Sequence, residues 1–199
     1  MRKLAIRVMC LCMILIGSPA LAKPDQKSRK LDPQAMTETY QKLATPGDQH
    51  KRLGELEGTW TTHTKSWIKP GQPPEESTGT CDMRMILDGR FLQQECTGEM
   101  MGQPFSGINV TGYDNSTKKY VSTWKSTMGT GLFVMHGTGG KDGTTITLKG
   151  DHPDPYEGTM KHRAVWKTPD SNTQTFTMYH IGKNGKETKG MEIHYERKQ

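Results

Sequence analysis

The chain has 199 residues, of which 32% are hydrophobic, and a formal net charge of +6 at neutral pH. Its first 22 residues hold three of the 27 basic residues and no acidic one, so the remainder carries 24 basic and 21 acidic residues, a net charge of +3. A charge this small, spread along the chain, excludes the strongly basic class of nucleic-acid-binding proteins, and we expect no nucleic-acid partner.

Residues 1–22 have the pattern of a secretory signal peptide. Three basic residues come first, followed by an apolar run over 8–16 and then by Ala20-Leu21-Ala22, the small-x-small pattern at which such peptides are cleaved. The run is too short to span a bilayer. We therefore expect cleavage after Ala22, a secreted or periplasmic location, and no membrane span in the mature chain. An uncleaved anchor is the alternative.

Residues 23–31 are polar and without apolar periodicity, which predicts a flexible tether. Helical signals fill 32–57. Asp32-Pro33 supplies a cap and a first-turn proline for one short helix, and a second begins near Asp48 and stops at Gly58. We expect an N-terminal helical segment over 32–57, followed by a single domain over 58–199.

From Thr59 onward, the apolar period changes to two, which indicates β-strands. Asp88-Gly89 and Asn184-Gly185 are the residue pairs that two-residue hairpin turns require, because both central positions need a positive φ. The predicted turns also include Pro153-Asp154-Pro155. The ten predicted strands cover 59–68, 77–87, 90–99, 103–113, 118–127, 130–138, 144–150, 156–167, 173–182 and 187–197.

The connections between these strands are too short for crossover helices, so the sheet should be antiparallel throughout. About ten meandering strands with little room for a second layer predict an all-β fold, a single up-and-down β-barrel whose closure removes exposed edges. A two-sheet sandwich is the competing architecture.

The two cysteines that follow the predicted signal peptide are Cys81 and Cys96. If Asp88-Gly89 is a two-residue turn, Leu87 faces Arg90, and residues pair wherever their numbers sum to 177. Cys81 then lies directly opposite Cys96. In an oxidising compartment this arrangement predicts a disulfide, and two reduced, buried thiols are the alternative.

Several motifs carry a family resemblance. The Gly-x-Trp of LEGTW at 56–60 enters the first strand after a short helix, as in lipocalins and related calycin barrels. RMILDGRFLQ at 84–93, MMGQPFSG at 100–107, TGYDN at 111–115 and KKYVSTW at 118–124 resemble segments of domain-of-unknown-function family 1579. KLATPG at 42–47 and TFTMY at 175–179 extend the similarity over most of the chain. The resemblance implies a calycin-like, lipocalin-like barrel and brings no catalytic residue with it.

Alternation of side chains along the strands predicts which residues face the barrel lumen. The predicted set mixes thioethers, aromatic rings and histidines, which suits a pocket for a small, partly apolar molecule. The alternative is a lumen that these side chains fill completely. The candidate ligand-binding residues are Trp60, Met83, Met85, Tyr120, Trp124, Met178, His162 and His180.

His162 and His180 lie on neighbouring predicted strands, where their numbers fit pairing about a turn centred near Ser171. Imidazoles beside Met160 and Met178 could hold a soft metal or a haem iron. No metal-binding motif accompanies them, however, so we predict no metal and no cofactor, and the catalytic residues are unknown.

Three hypotheses for function follow. The first is an exported barrel that binds a small hydrophobic molecule in its lumen. The second is a lumen enzyme in which His162 and His180 act with Tyr120 or Tyr195 as acid–base groups. The third is a packed structural or stress-related barrel with no ligand.

Overall fold

The computed structural model describes residues 32–68, 71–100, 102–156 and 158–199. The predicted signal peptide and tether lie outside the described residues. Two helices, α1 (Pro33–Ala44) and α2 (Asp48–Gly54), precede the strands. The strands are β1 (Gly58–Ser66), β2 (Glu75–Ile86), β3 (Phe91–Met100), β4 (Gln103–Asp114), β5 (Lys119–Ser126), β6 (Phe133–Gly139), β7 (Thr145–Asp154), β8 (Gly158–Lys167), β9 (Thr173–Ile181) and β10 (Glu187–Arg197).

The ten strands form one closed barrel, which confirms the predicted fold class over the sandwich. Each strand pairs antiparallel with its neighbours in sequence, and β1 also pairs with β10, where Trp60 lies opposite Arg197. Burial alternates as predicted: along β3, Leu92, Gln94 and Cys96 are buried while the residues between them are more exposed. One set of side chains therefore encloses an interior.

The hairpin between β2 and β3 has the predicted register but a different turn. Cys81 lies opposite Cys96, and the last pair is Ile86 with Phe91. The turn therefore spans four residues, 87–90, with positive φ at Leu87, Asp88 and Gly89. The prediction of a two-residue turn was wrong. Because the longer turn has the same centre, the residue numbers of every pair still sum to 177.

Strand β7 is longer than predicted. It continues past residue 150 to Asp154 and includes Pro153, which pairs with Thr159 of β8. The prediction of a turn at Pro153-Asp154-Pro155 was wrong for Pro153 and Asp154, which belong to the strand. Pro153 lies next to the last residue of the strand, where the loss of one backbone donor interrupts little of the ladder. The extension brings His152 into the barrel wall.

Helix α2 covers the end of the barrel at which β1 begins. Its Leu53 is 1% exposed and belongs to the same core as Trp60, which is fully buried. The Trp60 indole Nε1–H donates to the Leu56 carbonyl at 3.0 Å. The Arg197 guanidinium lies 4.2 Å from the centroid of this indole and donates to the Glu55 carbonyl. This half of the barrel, around α2, is the closed half.

Helix α1 lies outside the barrel and contributes no buried residue. Its last turn is held by the Asn115 side-chain amide, which donates to the carbonyls of Leu43 and Thr45 at 2.9 Å each. Tyr40 of this helix is 67% exposed. Within the described residues, no helix is both long and apolar enough to cross a bilayer.

Candidate ligand cavity

A cavity of about 510 Å³ occupies the half of the barrel away from α2, here called the open half. Its wall is formed by aromatic and aliphatic side chains and thioethers, interrupted by hydroxyl and amide groups. The main apolar contributors are Trp124, Trp166, Phe133, Phe176, Met135, Met178, Met191 and Ile193.

The size of the lumen side chains explains why the void lies in this half. Along β1, the inward positions pass from Trp60 in the closed half to Thr62, Thr64 and Ser66 in the open half. Along β3 they pass from Leu92 to Gly98. Large side chains fill the lumen next to α2, whereas small ones further along the same strands leave space.

Two of the predicted ligand-binding residues, Trp124 and Met178, border the cavity. The Trp124 ring lies directly against the backbone of Gly107, where any β-carbon would overlap the ring. Trp60, Met83 and Tyr120 are instead packed in the core of the closed half.

Met85 also lies in the closed half, where its Cγ is 3.7 Å from the β-carbon position of Gly54 in α2. These four closed-half residues therefore support the cavity from below rather than lining it.

A hydrogen-bonded polar cluster forms part of the wall. The Asn109 amide donates to the Ser122 hydroxyl at 2.8 Å, and the Thr111 hydroxyl lies 2.7 Å from the Asn109 carbonyl oxygen and 3.0 Å from Ser122. All three residues border the cavity. Because these groups largely satisfy one another, they add polarity to the wall without demanding a ligand.

The floor of the cavity is a buried chain of contacts across the lumen. The Trp166 indole Nε1–H donates to the Gln174 side-chain carbonyl at 2.8 Å, and the Gln174 amide lies 3.7 Å from the Met83 sulfur. All three side chains are buried. The chain joins β8 and β9 to β2, which is separated from β9 by β10 and β1, and it lies between the cavity and the closed half.

Cys81 and Cys96 form a disulfide between β2 and β3, with their Cα atoms 4.1 Å apart. Both residues are buried, and both border the cavity. The predicted pairing is therefore present, and the bridge is part of the cavity wall.

Three histidines form a hydrogen-bonded cluster at the open end. His162 Nε2 lies 3.0 Å from His152 Nδ1, and His162 Nδ1 lies 3.1 Å from His180 Nδ1. His180 fits because residue 190 is glycine: a β-carbon there would overlap the imidazole. The structure thus brings the two predicted histidines together and adds His152. His152 was not predicted as a member of this cluster because the predicted strand ended at residue 150, whereas β7 continues to Asp154.

Burial and the neighbouring rings of His180 and His152 lower the pKa of His162 to about 4. Burial, and then His152, also lower the pKa of His180. Because His162 contacts a different partner through each ring nitrogen, the nitrogens of the cluster do not converge on one point. Among the described residues, no group of three His, Cys, Asp or Glu side chains has a geometry suited to a metal ion.

The tyrosines proposed to act with these histidines lie elsewhere. The Tyr120 hydroxyl is 3.4 Å from Gln49 of α2, in the closed half. Tyr195 lies opposite Gln174 at the cavity floor, seven residues along β10 from Thr188, the partner of His180. Seven residues of a strand span roughly 23 Å, so the structure does not bring the proposed acid–base set together.

The family model described as "Protein of unknown function (DUF1579)" matches residues 45–197. The chain belongs to this family. The resemblance carried by the sequence motifs is therefore confirmed, and the family's description assigns no activity. No curated protein sequence matches the chain significantly.

Solved structures agree with the barrel fold of this DUF1579 member. Rv2717c from M. tuberculosis is 14% identical with a TM-score of 0.56, and the match covers 78% of this chain and 100% of that one. The S-type phycobiliprotein lyase CPES from Guillardia theta is 11% identical with a TM-score of 0.54, covering 76% of this chain and 93% of that one. At these identities the similarity extends to the fold alone.

Proposed function

We propose that the protein is an exported binding protein that holds a small, partly apolar molecule in its barrel cavity. The observation that carries the proposal is the cavity of about 510 Å³ in the open half. Ligand sites of proteins typically measure roughly 300–1,000 Å³ and combine an apolar wall with a few polar groups. A barrel with a purely structural role has no need of such a void, because unfilled space forfeits packing energy.

The identity of the wall supports the same proposal. Trp124, Phe133 and Phe176 offer flat apolar faces, while Met135 and Met178 offer flexible thioethers that adapt to a ligand's shape. The aromatic rings also provide a spectroscopic signal for occupancy. Trp124 and Trp166 both border the cavity, so a bound molecule should change their fluorescence.

Binding is tested with the neutral fluorescent dye N-phenyl-1-naphthylamine, whose emission rises in apolar surroundings. We expect saturable enhancement with the wild type. Thr64→Trp should abolish it, because Thr64 borders the cavity and an indole there fills the lumen. His63→Trp is the matched control, since His63 is the adjacent, exposed residue of the same strand. Equal dye binding by both variants, or none by the wild type, would contradict the proposal.

Export is supported by the basic–apolar–Ala-x-Ala pattern of the first 22 residues and by the disulfide, since such bonds persist in oxidising compartments. Intact-mass analysis of the protein expressed with its own leader in a Gram-negative host tests this. We expect a chain that starts at Lys23, recovered from the periplasm with Cys81 and Cys96 oxidised. A cytoplasmic chain that retains residues 1–22 would overturn this part of the proposal.

A further inference from the structure

Two polar side chains, those of Gln94 and Tyr195, lie at the deep end of the cavity. Gln94 and Tyr195 are each 7% exposed, and both border the cavity. Among the described residues, neither side chain has a hydrogen-bond partner. Every fully enclosed side-chain polar atom in the described part of the chain does have one. The polar atoms of Gln94 and Tyr195 must therefore reach free space, and the space that they border is the cavity.

The strand register puts these two residues at a similar depth, on β10 and β3, which are separated round the barrel by β1 and β2. Tyr195 lies directly opposite Gln174 on β9, and Gln94 lies directly opposite Met83 on β2. The Gln174 amide and the Met83 sulfur are in contact across the lumen. A ligand that reaches the floor therefore meets both a phenol and a primary amide.

Both groups are uncharged. Burial raises the pKa of the Tyr195 phenol above its ordinary value, so the hydroxyl keeps its proton at neutral pH. A primary amide offers two donors and a carbonyl acceptor and does not ionise. Neither group can neutralise an ion, and a charge buried without a partner is strongly disfavoured.

Among the residues that the structure describes, the charged ones that border the cavity lie at its mouth and are all acidic. Within the described part of the chain they are Glu75, Glu76 and Glu99, on the ends of β2 and β3. Lys65 forms an ion pair with Glu76 at 3.3 Å, with both side chains substantially exposed. Among the described residues, a ligand carboxylate therefore finds no cation at the floor, and at the mouth it finds three carboxylates, of which Glu76 is paired with Lys65.

We infer that the deep end of the cavity binds an uncharged hydrogen-bonding group of the ligand, such as an amide, ketone or hydroxyl, and that the cavity rejects carboxylates. This inference rests on the proposed function and specifies its ligand class: an amphiphile with a neutral polar head that enters head first. The Tyr195 hydroxyl donates to the head, and the Gln94 amide donates to or accepts from it.

The test compares three ten-carbon probes that differ in the head group: decanamide, decanoate and decylamine. Each displaces N-phenyl-1-naphthylamine from the wild type at pH 7.5, below its micellar concentration. We expect decanamide to compete at least about tenfold more tightly than decanoate, because an unpaired buried charge costs more than one lost hydrogen bond. Decylamine should also be weaker than decanamide, since its charge would be held at the mouth.

Conservative variants test the named residues. Tyr195→Phe and Gln94→Leu should each weaken the binding of decanamide by about fivefold, the usual effect of losing one hydrogen bond. The affinity for the dye should stay unchanged. Tyr120→Phe and Gln93→Leu are matched controls that remove the same groups away from the cavity. Thermal melts confirm that each variant is folded. Tyr195→Phe keeps the ring and the packing.

The outcomes separate the two proposals. If the dye does not bind to the wild type, the proposed function fails, and this inference fails with it. If the dye binds but decanoate or decylamine displaces it as well as decanamide does, the cavity remains a binding site and the inference about its ligand is wrong. The inference is also wrong if Tyr195→Phe and Gln94→Leu both leave decanamide binding unchanged.

Discussion

The closed and open halves of the barrel are built from the same strands and the same alternation, yet side chains fill one and leave a cavity in the other. In the closed half, Trp60 and Tyr120 are almost completely buried, and α2 packs against the end. In the open half, Thr62 and Ser122 occupy the equivalent inward positions two residues further along β1 and β5, and a cavity results. The difference shows that alternation decides which side chains face inward, whereas their volume decides whether the interior is core or site.

The sharpest way to test this comparison is to truncate one tryptophan in each half. Trp60→Ala should lower the free energy of unfolding by about 3–5 kcal/mol, because it leaves a cavity in a packed core and removes the indole hydrogen bond to Leu56. Trp124→Ala should cost about half as much or less, because that ring already borders a void. Urea denaturation measures both, and equal losses would contradict the division into two halves.

The disulfide should give the next largest effect. The double variant Cys81→Ala/Cys96→Ala removes a cross-link between residues 15 apart in the chain, which in the chain-entropy model lowers the free energy of unfolding by about 3 kcal/mol. Dye binding should survive, because the change only widens the cavity. Oxidised wild type and the variant are compared by urea denaturation, and matching midpoints would show that the bridge adds no stability.

The histidine cluster should have a smaller effect on folding stability, and this effect should depend on pH. The pKa of His162 falls from 6.5 to about 4 in the folded state, so the unfolded chain takes up a proton first as the pH drops. The fold therefore loses stability between about pH 6.5 and 4 and gains none from this group above pH 6.5. We expect the melting temperature of the wild type to fall by several degrees from pH 7.5 to 5.

His162→Gln should make the melting temperature fall less steeply between pH 7.5 and 5, whatever its value at pH 7.5. His136→Gln, a change at an exposed histidine of β6, is the control and should keep the wild-type slope. Carboxylates whose pKa values are lowered in the folded state, such as Asp114 at about 2, act in a lower pH range and do not confuse the result. If the melting temperature of His162→Gln falls with pH as steeply as that of the wild type, the histidine cluster does not exclude protons.

The smallest effect is expected on α1. Tyr40 is 67% exposed on a helix that has no buried residue, so Tyr40→Ala should change the free energy of unfolding by less than about 0.5 kcal/mol. Urea denaturation measures the change. A loss above about 1 kcal/mol would mean that this helix packs more tightly than its exposure indicates.

Local patterns predicted much of this molecule. The change of apolar period after Gly58 and the turn residues located all ten strands to within a few residues, and the register of the β2–β3 hairpin followed from one turn centre. The same reasoning failed at Pro153, where a strong turn signal was overridden because the residue lies close to the end of a strand. That failure concealed His152, and with it the third member of the histidine cluster.

The candidate site was less predictable. Alternation along β3 and β10 predicts that Gln94 and Tyr195 face inward. Nothing in the local sequence, however, distinguishes an inward polar residue that has a hydrogen-bond partner from one that has none. Gln174 is satisfied by Trp166, eight residues away and on the neighbouring strand. Tyr195 borders the void instead and has no such partner among the described residues.

The order of residues along the chain was enough to specify the strands, their succession and the side of the sheet that each residue faces, because these depend on alternation and turn chemistry within a few residues. Closure of the barrel decided where side chains fill the lumen and where they leave a cavity, which polar groups pair, and that three histidines meet. Those outcomes depend on distances across the barrel between residues such as Met83 and Gln174, 91 positions apart, and no local pattern encodes such distances.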